Sequence, residues 1–467
     1  MGFIFPLVIL SLGCILAGSV LGWSSPYIAV LEGDESSIKM SANDASWVVS
    51  IVSVGSACSM MIGFFFDHYF GRRKLLMLSM IPFSLGWLLI AFALTSVDLT
   101  IGRYLVGFGE GIILMVAPAM LSELAPIKYR GSATSCNAFS LRLGVLITYV
   151  IGAFLSMKLH ALIHFGISIV YIFLLRAIPE SPYFLISRGQ FPEAEAALIS
   201  LRNSTEIDEE LKEIIKSVEK NVSSNTRVTD LFKVNENRKP LIAIFILTIL
   251  VYLSGGQCLL AYAESIFDEV EPSLSGKYLA IILAALSILC SAANMFCIDR
   301  LGRKTLLICS LIGSLLSTAT VATYLTLKEF SYPVTKYRTI PLVALMVTVV
   351  CPSFGILPTM SVLLSELFFA NIRVKTFAVY AETSNISTFV ALKTFHIFAY
   401  NYGLYVPYLI FSGIVLLCII HVCLNVPETF GKTLDEIHIF YLGNSAAKNK
   451  VVVSDYEGKV EEAGTKY

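Results

Sequence analysis

Charge is scarce in this chain. Asp, Glu, Lys and Arg make up 15% of its 467 residues, 56% are hydrophobic, and the mean hydropathy is +0.75. Soluble globular proteins carry about 25% charge, so this balance points to lipid as the main solvent. An excess of either sign is also missing, with 34 basic and 34 acidic residues, which argues against nucleic acid or another polyanion as a partner. No GxxxxGK[ST] occurs, so ATP is not expected to drive the protein. The ten cysteines all fall in apolar runs, without CxxC or Cys/His metal spacing. Neither a disulfide framework nor a metal is indicated, and no cofactor is implied. With no nucleophile–base arrangement either, an enzyme is not expected.

What is present is a series of apolar segments, each near the roughly 20 residues needed to cross a bilayer as a helix. They fall at about 5–29, 46–66, 75–95, 100–122, 133–156 and 160–178, then at about 241–267, 276–297, 305–327, 339–365, 376–398 and 404–425. Such long unbroken runs predict helices, because lipid leaves a bare backbone unpaired. The first run, Phe3 to Leu31, has no charged residues before it and is too long for a signal peptide, so it reads as a retained span. The sequence therefore predicts an all-α membrane protein of twelve transmembrane helices. Its organisation is a six-helix bundle over 1–178, a polar linker with short helices over 179–240, a second bundle over 241–425 and a tail over 426–467. Arg72, Arg73, Lys74, Lys128, Arg130, Arg300, Arg303, Lys304, Arg373 and Lys375 follow spans 2, 4, 8 and 10. The positive-inside rule then sets those loops, the linker and both termini on the cytoplasmic side.

Three signatures recur in the same order in the two halves. Asp67 with Gly71-Arg72-Arg73-Lys74 matches Asp299 with Gly302-Arg303-Lys304. Ser122-Glu123-Leu124 with Arg130 matches Ser365-Glu366-Leu367 with Arg373, and Pro179-Glu180-Ser181 matches Pro427-Glu428-Thr429. Parallel six-span repeats with a binding site between the halves are an attested transporter plan. The paired charges, Asp67, Arg72, Arg73, Glu123, Arg130, Glu180, Asp299, Arg303, Glu366, Arg373 and Glu428, sit at cytoplasmic helix ends. There they are expected to form a gate clamping the bundles together when that side closes. Gly71 and Gly302 fit tight turns with φ > 0.

With GRYLVGFGEG at 102–111, APAMLSELAPIKYRG at 117–131, PESPYFLISRG at 179–189 and VPETFGKTLDEI at 426–437, the chain resembles the sugar porter branch of the major facilitator superfamily. The stretch LGWSSP at 21–26 looks most like its insect facilitated trehalose/glucose members. That resemblance implies alternating access, a plasma-membrane location with the lipid bilayer as surroundings, and a small sugar or sugar-like solute as partner. It transfers the charge network well and the sugar ligands poorly. Where the family has a span 5 Gln this chain has Ala138 beside Asn137. Its span 7 glutamines are absent, with Tyr252 nearby and Gln257 at the Asn position. Tyr262 remains of a tyrosine pair, Ser361 replaces a Trp, and Ser384 and Thr388 replace asparagines, with Asn385 one place off. The substrate-binding candidates are thus Asn137, Tyr252, Gln257, Tyr262, Ser361, Ser384, Asn385 and Thr388.

Ionisable groups within spans are costly and mark function by default. Here they are Arg103, Glu110, Arg142 and Glu382, with Lys393 eleven residues beyond Glu382. Glu110 and Arg142 reach similar depth and are expected to pair. His164, His396 and His421 read as packing or interfacial residues. The acid that proton-coupled relatives carry at the position of Ser24 is absent, which favours facilitative uniport of a hexose or trehalose-like sugar. Glu110 keeps proton symport as an alternative, and the missing amides keep a sensor or degenerate carrier as another.

Overall fold

The computed structural model describes residues 2–33, 38–126, 129–204, 207–223, 235–297, 302–368, 370–432, 436–437 and 440–441. Among them all regular structure is helical. The first part comprises α1 (Ile4–Gly22), α2 (Ser24–Glu32), α3 (Ala42–Phe70), α4 (Arg72–Ala91), α5 (Ser96–Leu124), α6 (Arg130–Phe154) and α7 (Met157–Arg176). After α8 (Pro182–Ser187), α9 (Phe191–Arg202) and α10 (Asp208–Ser223) come α11 (Asn235–Leu253), α12 (Gly256–Ala261), α13 (Ala263–Val270) and α14 (Gly276–Cys297). Then follow α15 (Arg303–Glu329), α16 (Thr339–Cys351), α17 (Leu357–Leu367), α18 (Ala370–Tyr402) and α19 (Tyr405–Asn425).

Local chemistry sets several of these boundaries. At Ser41 and Thr95 the hydroxyl accepts the backbone N–H three residues on, while Asp44 and Asp98 accept the N–H of the capping residue. Each such box satisfies two of the donors a helix start leaves unpaired. Between α16 and α17 the five residues Pro352–Ile356 form a π turn, where proline removes a donor and bends the axis.

Among the described residues, 11 segments are long and apolar enough to cross a membrane. The twelfth expected span is α18, 33 residues long. It carries Arg373, Lys375, Glu382 and Lys393, which is why it falls short on apolarity while packing against α3 and α11. Helices α1 and α3–α7 pack on one another, and α11–α19 do likewise. The short helices of the linker build their own small core from Leu185, Ala194, Leu198, Ile207 and Ile214. Arg202 ties that core down, donating to both Glu210 oxygens (2.9 and 2.6 Å) and to the carbonyl of Leu124 in α5 (3.0 Å). Arg202→Ala is expected to speed proteolytic cleavage within 191–223 about tenfold, since it removes roughly 1–2 kcal/mol of charge-assisted bonding. Limited proteolysis with mass mapping checks it.

Candidate solute path and its gates

At the face where α4 and α15 start, the two halves carry twin constructions. Gly71 and Gly302 both have positive φ (76° and 73°) and open α4 and α15. Both φ values fulfil the expectation from sequence. A carboxylate folds over each turn. Glu180 accepts the backbone N–H of Arg73 (3.0 Å), and Glu428 accepts those of Arg303 (2.9 Å) and Lys304 (3.1 Å). The first arginine of each helix then reaches an acid on the next long helix: Arg72 to Glu123 and Arg303 to Glu366, both at 3.1 Å. Thr429 donates to the other Glu366 oxygen (2.5 Å), and the Arg303 guanidinium lies 4.9 Å from the Phe430 ring centre. Arg73 donates to the Ile178 carbonyl (2.9 Å), and Arg373 to that of Phe368 (3.4 Å). Asp299 lies outside the described residues, as do the side chains of Asp67 and Arg130.

Every one of these contacts lies inside one half, bracing a helix start against its neighbour, and none of them joins the halves at this face. The junction is at the opposite face. There the Lys393 ammonium donates to the side-chain oxygen of Asn43 (3.0 Å) and to Ser46 Oγ (2.7 Å), and sits 4.1 Å over the Trp47 ring. Nearby, His396 Nε2 lies 3.1 Å from a Glu32 oxygen, off the line of a hydrogen bond. Ser25 Oγ accepts the N–H of Glu264 (3.1 Å), and the Tyr149 hydroxyl donates to the Leu260 carbonyl. His396 is thus a bridging group, whereas His164 packs on Trp87 with ring centres 4.7 Å apart. Lys393→Ala removes a cation–π contact and two charge-assisted bonds. It is expected to raise the population open at this face about tenfold, read as spin-label distances across it.

Beside this junction lies a cavity of about 750 Å³ lined by Glu32, Asn43, Tyr262, Glu269, His396 and Tyr400, among others. Tyr262, a sugar-site candidate, stands here, stacked on His396 at 5.4 Å.

The other candidates lie elsewhere. Tyr252 and Tyr380 share a hydroxyl–hydroxyl bond (3.1 Å), and Ser384 follows Tyr380 one turn on in α18. Asn137 is buried and takes a bond from the Cys14 thiol (3.3 Å), with its amide nitrogen unpaired. Asn385 touches Met60 Sδ (3.4 Å). The Ser384 and Thr388 hydroxyls donate to their own helix. Gln257 is partly exposed and Ser361 exposed. Tyr380 carried no sequence signal of its own, since nothing in α18 marks which of its polar residues meets α11.

The expected Glu110–Arg142 pair does not form. Glu110 feels the charge of Arg103, two turns back on its own helix, whereas Arg142 interacts electrostatically with Tyr252 and Cys290 in the other half. Depth places two residues at one height, but helix rotation decides whether they meet. Arg103 is 1% exposed and donates to the carbonyls of Val20 (3.1 Å) and Val48 (3.3 Å) and to Ser24 Oγ (3.0 Å). Its guanidinium lies 4.7 Å from the Trp23 ring centre. Partly exposed Glu382 has no ion-pair partner among the described residues.

Comparison with known proteins agrees with this plan. The chain is 29% identical over 441 residues to the facilitated trehalose transporter Tret1 of Polypedilum vanderplanki, covering 93% of this chain and 87% of that one. It is also 29% identical over 436 residues to Tret1 of Apis mellifera ligustica, covering 92% and 86%. The inward-open structure of the xylose transporter XylE from E. coli superposes with a TM-score of 0.78 at 20% identity, over 93% of this chain and 98% of that one. The proton:xylose symporter XylE bound to 6-bromo-6-deoxy-D-glucose gives 0.74 at 21% identity, over 94% and 99%. The family described as Sugar (and other) transporter matches residues 7–441, and this multi-pass membrane chain belongs to it.

Proposed function

We propose that the chain is a facilitative carrier that moves a sugar or sugar-like solute across the plasma membrane by alternating access. In this reading 1–178 and 241–425 are the two moving bundles, 179–240 is their linker, 426–467 is a tail, and both termini are cytoplasmic. The observation that carries it is the asymmetry of the junction. The halves are latched through Lys393 and His396 at one face, while the braces at the other stay within each half. Arg72–Glu123 and Arg303–Glu366, with Glu180 and Glu428 over the turns, form the ends that meet when the cytoplasmic side closes. The solute contacts the polar groups between the halves, with Tyr252, Tyr380 and Ser384 as its hydroxyl partners. Hydroxyls both donate and accept, as polyol recognition requires. The relatives described as facilitated trehalose transporters support uniport.

The test is uptake of labelled glucose and trehalose in cells lacking their own sugar carriers, at two external pH values, with surface protein measured. Saturable uptake independent of pH is the expected result. Absence of uptake of either sugar by surface-expressed protein counts against the reading. One observation favours a second reading, proton symport: Glu110 is buried with one oxygen unpaired, a group able to take up a proton. In that case uptake rises at lower pH and Glu110→Gln removes the rise.

A further inference from the structure

Among the described residues, Arg142 is a cation without a counterion. It stands mid-length in α6, partly exposed, on a helix that packs against α14 of the other half, and it interacts electrostatically with Tyr252 and Cys290 there. Among the described residues it makes no hydrogen bond and no ion pair. The spans' carboxylates are engaged or distant. Glu110 feels the charge of Arg103, Asp44 and Asp98 cap their own helix starts, and Glu382 has no basic neighbour. A guanidinium held at membrane depth without an anion is costly, and such groups mark ion or substrate pathways. Arg103 is instead sealed among two carbonyls and a serine hydroxyl, with the charge of Glu110 acting on it. Arg142 receives no such treatment. Tyr252 shares a hydroxyl–hydroxyl bond with Tyr380, and Ser384 follows one turn on in α18, so within electrostatic reach of one flat fork of N–H donors stands a group of hydroxyls suited to a sugar.

We propose that Arg142 docks an anionic group on the solute, so that the preferred cargo is a sugar acid, with hydroxyls on the tyrosine pair and a carboxylate on the guanidinium. The guanidinium fork matches a carboxylate bidentately. This inference rests on the carrier reading above and narrows its substrate class.

The test uses proteoliposomes of the full chain with labelled D-glucose and D-glucuronate. Glucuronate is expected to be taken up saturably and to compete against glucose at a concentration at least about tenfold below that of unlabelled glucose, as fits one charge-assisted contact. Arg142→Gln should lower the glucuronate-to-glucose ratio of uptake efficiencies at least about tenfold, and Arg142→Lys should keep more of that ratio. A purely packing role would lower both efficiencies together and leave the ratio unmoved, which overturns the proposal. Saturable glucose uptake that glucuronate neither shares nor inhibits also overturns it, yet leaves the carrier reading standing. Uptake of neither sugar by folded protein overturns both. Should the variants fail to fold, competition on the unaltered protein decides alone.

Discussion

Arg103→Ala is expected to destabilise the first six-helix half by about 3–5 kcal/mol, the range for removing one member of a buried charged cluster. The substitution removes the shared donor from two helix carbonyls and the Ser24 hydroxyl, and leaves empty space beside Trp23. It also strips Glu110, a 2%-exposed carboxyl, of the positive charge that Arg103 supplies. In a chain of this size that amounts to a fall on the order of 10 °C in the apparent midpoint of thermal unfolding. Arg103→Lys should fall between, because an ammonium keeps the charge but lacks the flat fork that reaches three acceptors. Adding Glu110→Gln to Arg103→Ala should recover part of the loss. By contrast, Glu110→Gln and Arg142→Ala should add within about 0.5 kcal/mol, as for sites that share no partner. Thermal unfolding of the purified variants in one detergent checks the series, and strong coupling between Glu110 and Arg142 contradicts the arrangement described here.

What the sequence makes legible is what depends on one segment or on a fixed offset. Apolar run length places eleven spans, and α18 is legible as a long helix although its charges lower its apolarity. The Gly-Arg turns carry their own evidence: a glycine, a following cation and a partner acid repeated in both halves foretell positive φ at Gly71 and Gly302. What stays hidden is azimuth and partner. The Glu123 and Glu366 repeats fix which residues matter but not whether they meet inside a half or across the junction. Lys393 finds Asn43 and Ser46 some 350 and 347 positions away, a pairing only the assembled bundle creates. Tyr262 illustrates the same limit. Family position groups it with Tyr252, yet after α11 ends at Leu253 the chain restarts as α12, and Tyr262 is carried to the cavity at the far face.

The second large effect is expected at Glu428. Its Oε1 accepts the N–H groups of Arg303 (2.9 Å), Thr429 (3.0 Å) and Phe430 (3.0 Å), and its Oε2 that of Lys304 (3.1 Å). One carboxylate therefore caps the start of α15 and also folds the segment after α19 against it. A negative charge at a helix start gains from the helix dipole as well. Glu428→Ala leaves four donors to find water or go unpaired, at about 1–3 kcal/mol for each that stays buried. The Arg303–Glu366 brace next to it should loosen in turn, because Thr429 holds the other Glu366 oxygen. The expected outcome is a several-fold loss of surface protein and faster hydrogen exchange at the start of α15, with Glu428→Gln milder because it keeps an acceptor but not the charge. The pH dependence has a definite sign. Burial pushes the Glu428 carboxyl up, but the backbone donors outweigh it and hold the group below the usual glutamate range. Folding thus favours the ionised form, so this stabilisation is fully present above the unfolded value, about 4.3, and is lost as pH falls through the lower folded value. Exchange at Arg303 and Lys304 should accordingly stay protected from pH 7 down to about 5 once corrected for its intrinsic rate, then open more steeply in acid than the matching turn of Glu428→Gln. Equal acid sensitivity in the two proteins would mean that another group drives the opening.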